Sequence, residues 1–170
     1  MGKQNMATFK VIGKGEDGKY FDDRALNNVI NYVLNPEKTK SHLVGAYGVQ
    51  IEYAAQQMEF VSRAYNNYDK VRLRHFIISF ADNDCILPCD AIYIAQRAAE
   101  FYASRYQIIF GIHEDADHLH VHFVMNQVSY LDGRKYSGSK KEHYDFVNYM
   151  KDVCYSFGID FIPVSEQFDR

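Results

Sequence analysis

Residues Gly111–Asn126 read GIHEDADHLHVHFVMN and carry four of the seven histidines of the chain within ten positions. His120 and His122 are two apart, so in a strand they leave the same face with Cα atoms roughly 6.6 Å apart, close enough for their imidazoles to share an ion. Alternation then puts Val124 and Asn126 beside them, and Val121, Phe123 and Met125 on an opposite, apolar face. One face of this strand is core and the other is a site.

Upstream, Tyr106–His113 (YQIIFGIH) reads as a second strand that returns antiparallel through Glu114–Leu119 as a hairpin. Its Ile108, Phe110 and Ile112 belong to the apolar face, while Gln107, Ile109, Gly111 and His113 share the other, which sets His113 at the strand end next to His120 and His122. Three converging imidazoles leave coordination positions open, the arrangement of a catalytic rather than a closed structural metal site. A lone strand histidine is usually packed or solvated, but H-x6-H-x-H backed by an apolar register is hard to explain as packing. His118 has the right parity yet falls in the loop, and is read as an outer or solvated residue. Asp115 and Asp117 are loop carboxylates able to orient a ligand histidine through its second nitrogen.

Working outward, Ala7–Ile12 alternates as a strand with Phe9 and Val11 on one side and Thr8 and Lys10 on the other. A turn-rich loop, Gly13–Asp23, supplies Asp22 or Asp23 as a cap for a helix in which Ala25, Leu26, Val29, Ile30, Val33 and Leu34 form one stripe. Tyr32 lies about 110° from the centre of that stripe, at its edge, so its ring packs partly and its hydroxyl stays outside. Pro36 stops the helix, with Lys38 and Lys40 just beyond. Leu43–Val49 is an irregular or short extended piece, and Gln50 to about Asn66 a second helix. Val71–Phe80 repeats the division of the histidine strand, with His75, Ile77 and Ser79 on the polar side. A third helix starts near Pro88, and Ser139 with Glu142 forms a capping box for a fourth that Gly158 ends. IDFIPV is a candidate edge strand.

These elements predict an α+β fold: an antiparallel sheet of about five strands, helices on one face, and an open face on which Thr8, Lys10, His75, Ser79, His113, His120, His122 and Asn126 line a binding floor. The length of 170 residues, 47% hydrophobic and 15% aromatic, suits one domain with a substantial core. Three cysteines, Cys85, Cys89 and Cys154, form neither a CxxC pair nor an even disulfide framework, so reduced thiols and an intracellular setting are expected. No apolar run is long enough for a membrane span and no signal-peptide pattern opens the sequence, so membrane insertion is not expected. A net charge of −3 disfavours a nucleic-acid partner unless a local basic face compensates. Lys38, Lys40, Arg134, Lys135, Lys140 and Lys141 are the candidates for that face.

The blocks INYVLNPEKT, HFIISF and HEDADHLHVHFVMNQVSYLDGRKY, in this order and spacing, resemble the relaxases, or mobilisation nucleases, of conjugative plasmids and integrative elements, within the wider His-hydrophobe-His endonucleases. The resemblance runs from Ala25 to about Val164. It implies a single nicking domain over residues 1–170, in a family whose members usually continue into further regions, and a bacterial cytoplasmic location. It implies Tyr32 as the nucleophile that joins the 5′ end of nicked DNA, and His113, His120 and His122 as ligands of a divalent cation, Mn²⁺ or Mg²⁺ foremost, with Zn²⁺ or Ni²⁺ as alternatives. His75 and Ser79 are expected near DNA phosphates, and Asn126 at the polar position after the histidine pair.

The implied partners are single-stranded and hairpin DNA at a transfer origin, accessory relaxosome proteins and a coupling protein. Tyrosine suits the chemistry because a phosphotyrosine ester conserves the energy of the broken bond for resealing. Tyr20, Tyr47 and Tyr53 are alternative nucleophiles, and Glu114, Asp115, Asp117 and His75 are candidate bases. Two other classes stay open: a rolling-circle initiator or transposase of the same superfamily, and a DNA-hairpin-binding module without catalysis.

Overall fold

The computed structural model describes residues 5–12, 20–81 and 86–164. Residues 13–19 of the turn-rich loop, Cys85 and most of the N-terminal tail lie outside them. The strands are β1 (Met6–Ile12), β2 (Val44–Tyr47), β3 (Leu73–Phe80), β4 (Ile108–His113), β5 (His120–Asn126) and β6 (Asp160–Pro163), and the helices are α1 (Ala25–Val33), α2 (Ala54–Ala64), α3 (Pro88–Ala103) and α4 (Lys140–Tyr155). They form one sheet in the order β2-β4-β5-β3-β1-β6, antiparallel except for β6, which runs parallel to β1.

The fold is α+β as expected, with six strands rather than about five. The sixth is β2, too short and glycine-containing to read as more than an extended piece. No described helix is long and apolar enough to cross a membrane.

The register follows from the period-two pattern. Phe9, Phe76, Ile78, Phe110, Ile112, Val121, Phe123 and Met125 fall on one face and are buried beneath α3 and α4. Phe76 and Phe123, on adjacent strands, stack with centroids 4.6 Å apart. Pro88 stands at the N-terminus of α3, where its missing N–H costs nothing, and the Ser139 hydroxyl accepts the Glu142 N–H to start α4. The other half of that capping box goes elsewhere, because the Glu142 carboxylate pairs with Arg105. Gly158 at φ +67° closes α4 in the left-handed region.

The helices are not confined to that face. α1 and α2 lie on the opposite one, where Ala25, Leu26, Ile30, Val33, Ala54, Ala55 and Met58 bury Leu73, Ile109 and Val124. The open face is therefore half a face. One end is covered by α1 and α2. Two cross-strand rows start under the edge of α1 and run out onto the other: His113, His120, Ser79, Thr8 and Ile162, then Gly111, His122, Ile77 and Lys10.

Candidate active site

The helix α1 is seated on β4 by the absence of a side chain. An added Cβ on Gly111 would lie 2.5 Å from the Val33 carbonyl oxygen, so only glycine lets the end of α1 come this close. That carbonyl would otherwise be one of the unpaired acceptors of a helix terminus; instead the His113 Nε2–H donates to it at 2.9 Å. The docking brings Tyr32 over the histidines, with ring centroids 5.4 Å from His113 and 5.3 Å from His122. Tyr32 remains 43% exposed, as an edge position on the helix requires.

His113 pairs with His120 across β4 and β5, and one ring nitrogen from each of His113, His120 and His122 lies within 4.8 Å of the other two. Each imidazole is oriented through one nitrogen. That leaves the other nitrogen open for coordination. His113 uses Nε2 on Val33; His120 uses Nδ1 on the His118 carbonyl at 3.0 Å; and His122 places Nδ1 2.9 Å from His75 Nε2. His113 Nδ1 and His122 Nε2 are then buried without a hydrogen-bond partner. Two orphaned ring nitrogens converging with a third is the donor set a divalent cation takes.

Burial pushes the His122 imidazole down to about 2, with His113, His75 and His120 adding to the effect. Burial also lowers His113, against the opposing hydrogen bond to Val33. Both rings are neutral near pH 7, the form that binds metal.

Asp115 and Asp117, read from the sequence as loop carboxylates able to orient a ligand histidine, are not the partners found. Asp115 is taken by Lys38, 2.6 Å away. That hydrogen bond lowers the carboxyl and raises the amine, so both stay charged. The same Lys38 Nζ sits 5.4 Å from the Tyr32 ring centroid. Asp117 is exposed on the hairpin loop, and His118 contributes its carbonyl while its ring points outward with the exposed loop.

Ser79 is half-buried directly opposite His120 and open to the site. His75 is not at a DNA-facing surface: it is only 6% exposed, beneath His122 and bonded to the Tyr20 hydroxyl at 3.0 Å. Asn126 is fully buried and ties α2 to the sheet, donating to the Met58 carbonyl and Gln107 Oε1 and accepting from Ser62 Oγ and the Val128 N–H.

Arg134 and Lys135 lie beyond the far end of β5, which is itself about 13 Å along the strand from His122. Lys135 pairs there with Asp69, and Arg134 lies 3.8 Å from Asp132. They do not flank the histidines, and neither does Lys141, which pairs with Asp145 on α4. The basic residue on the open rows is Lys10. Val33 and Gly111 were not singled out from the sequence as part of the site; of the two, Gly111 carried a signal, since an isolated strand glycine often marks a close backbone approach. Tyr20, named from the sequence only as an alternative nucleophile, is 1% exposed and sits against His75.

The fold and site define a class: an α+β endonuclease domain with a His-hydrophobe-His strand. Residues 32–159 match the family model described as relaxase, MobA/VirD2-like, nuclease domain. The chain is 26% identical over 141 residues to the protein rlx of Staphylococcus aureus, covering 83% of this chain and 41% of that one. A second rlx protein from the same species is 27% identical over 142 residues, covering 83% and 43%. The group II intron-interrupted relaxase LtrB of Lactococcus lactis subsp. cremoris (strain MG1363) is 27% identical over 138 residues, covering 65% and 24%. The chain belongs to the MobA/VirD2-like relaxases and carries their nuclease domain. It spans less than half the length of these relatives.

Proposed function

We propose that this domain nicks and rejoins one DNA strand at a transfer origin by transesterification, with Tyr32 as the nucleophile, in the mobilisation of a plasmid or integrative element. The observation that carries the reading is the position of Tyr32: an exposed tyrosine held edge-on to His113 and His122 by a helix that glycine alone allows onto the sheet. His113, His120 and His122 would hold a divalent cation, Mn²⁺ or Mg²⁺ foremost, through the nitrogens left bare by their orienting bonds. When bound, it supplies charge withdrawal from the scissile phosphate.

The chain's own residues do the rest. Tyr32 attacks phosphorus through its phenolic oxygen and gives up its proton, the 3′ oxygen of the broken strand leaves and takes up a proton as a hydroxyl, and a 5′-phosphotyrosine ester forms; the reverse reaction reseals the strand. The Lys38 ammonium, 5.4 Å from the Tyr32 ring centroid, places a positive charge beside the path of the phosphate. Ser79, Thr8 and Lys10 give the strand a polar floor continuing from the histidines toward the β6 edge, on the half of the face that α1 and α2 leave open. Hairpin DNA, relaxosome proteins and a coupling protein are the partners this role requires.

The test is covalent capture. The protein is incubated with Mn²⁺ and a single-stranded oligonucleotide spanning the transfer origin of its own element, and the adduct is resolved under denaturing conditions. Tyr32→Phe is expected to abolish the adduct while keeping metal and DNA affinity. An adduct that persists, or that maps to Tyr20, Tyr47 or Tyr53, overturns the assignment.

A further inference from the structure

Beneath the three histidines lies a chain of polar groups that none of the chemistry above uses. Tyr20, 1% exposed, places its hydroxyl 3.0 Å from His75 Nδ1, and His75 Nε2 is 2.9 Å from His122 Nδ1. The three side chains come from three parts of the sequence, the loop before α1, β3 and β5, and they meet in the interior between the sheet and α1. Burying two imidazoles and a phenol in series is costly unless each link is made.

A neutral imidazole carries one N–H, so this series has two polarities. In one, the Tyr20 hydroxyl donates to His75 Nδ1, His75 Nε2–H donates to His122 Nδ1, and the remaining hydrogen sits on His122 Nε2. In the other, His122 Nδ1–H donates to His75 Nε2, His75 Nδ1–H donates to the Tyr20 oxygen, and His122 Nε2 is bare. Both hold three protons, so choosing between them neither gains nor loses one. Only the second presents a lone pair to a cation. His122 Nε2 is buried and unpartnered, so the first polarity also strands a donor there.

We propose that Tyr20 and His75 are positioning residues that select the His122 tautomer able to bind metal. The inference rests on the three-histidine metal site proposed above and extends it two residues inward. His75 accepts the His122 Nδ1–H in the place where metal-bound histidines commonly find a carboxylate or a backbone carbonyl. A histidine in that place is itself ambiguous. In the metal-binding polarity the Tyr20 oxygen accepts from His75 Nδ1–H, a place that a buried phenylalanine could not fill.

The test uses the whole chain with ¹⁵N-labelled histidine and Zn²⁺ as a diamagnetic probe. Long-range ¹H–¹⁵N correlation is expected to find the Zn²⁺-loaded protein with His75 and His122 both protonated at Nδ1. His75→Leu is expected to weaken Zn²⁺ binding by about 10–100-fold. His75→Gln, whose amide can accept from His122 and donate to Tyr20, is expected to recover most of that loss. Tyr20→Phe should weaken binding less than His75→Leu and leave His75 in mixed tautomers. Wild-type affinity in His75→Leu overturns the relay alone, provided the unaltered protein binds Zn²⁺ through its histidines. Unaltered protein whose histidine resonances ignore Zn²⁺ overturns the metal site and the relay with it. Should His75→Leu not fold, a Zn²⁺-loaded wild-type protein with His75 protonated at Nε2 overturns the proposal by itself.

Discussion

Replacing Gly111 by alanine tests how the tyrosine is held over the histidines. The new Cβ would stand 2.5 Å from the Val33 carbonyl oxygen and 3.2 Å from Val33 Cγ1, and the nearer atom is backbone, with no flexible tip to swing aside. Ordinary contact begins at 3.4 Å, so the end of α1 must lift by about 0.9 Å. The same movement lengthens the His113 bond to Val33 from 2.9 Å to about 3.8 Å, beyond hydrogen-bond range. Overpacking of this kind together with a stranded buried N–H costs about 2–4 kcal/mol. For a domain of this size that lowers Tm by about 5–15 °C. Tyr32 moves with the helix, and a misplacement approaching 1 Å slows adduct formation by up to about 100-fold.

Single-turnover capture, run at saturating metal and DNA at a temperature where both proteins are folded, separates the two effects. Gly45→Ala is the control. Its Cβ would meet the Phe110 ring at 2.4 Å on the opposite, apolar face, so it destabilises without touching α1. The reasoning fails if Gly111→Ala forms adduct at the wild-type rate, or if Gly45→Ala slows it equally.

Two further outcomes follow from buried groups. In metal-free protein His122 is held near 2 and His113 is lowered as well, so below their ordinary value of 6.5 the unfolded chain binds protons that the folded chain refuses. Their contribution to stability is complete above 6.5 and declines as the pH falls toward their folded values; urea midpoints should drop between about pH 7.5 and pH 5 with chelator present, and a flat profile contradicts neutral buried imidazoles. Asn126→Ala removes contacts to Ser62, Met58, Gln107 and Val128 and is expected to cost about 2–4 kcal/mol in urea unfolding while leaving metal affinity unchanged. Loss of metal or DNA binding without loss of stability would return Asn126 to the site.

The period-two patterns of β3, β4 and β5 were enough to assign each side chain to a face, because a one-residue slip would have moved every phenylalanine of the core into the open. They also brought His113 to His120, since both end a hairpin whose apolar residues fix its register. The pattern did not distinguish polar residues that line a site from polar residues that serve the interior. His75 and Asn126 share the parity of His122, yet one lies beneath it and the other is bonded to α2. Parity places a residue on a face; what covers that face depends on α1 and α2. Their contact with the sheet is set by Gly111, Ile109 and Val124, and a helical stripe does not say which strand receives it. The basic loop at Arg134 and Lys135 was misplaced for a related reason. Sequence proximity to the histidine strand counts along the chain, and a strand carries the chain about 3.3 Å per residue away from where it began.

The orienting groups also bear on how an acidic chain would engage a phosphodiester. Val33 and His118 offer backbone carbonyls and His75 an imidazole, and Asp115 and Glu114, next to His113 in the sequence, are paired with Lys38 and Lys40. No carboxylate hydrogen-bonds the three imidazoles among the described residues, so a divalent cation held there would keep its charge largely undiminished at the point where Tyr32 stands. The lysine–carboxylate pairs around it are close to neutral by themselves. On the proposed reading, attraction for the scissile phosphate is concentrated at the histidines rather than spread over a basic surface, which is how a domain with a net charge of −3 can address DNA at one phosphate.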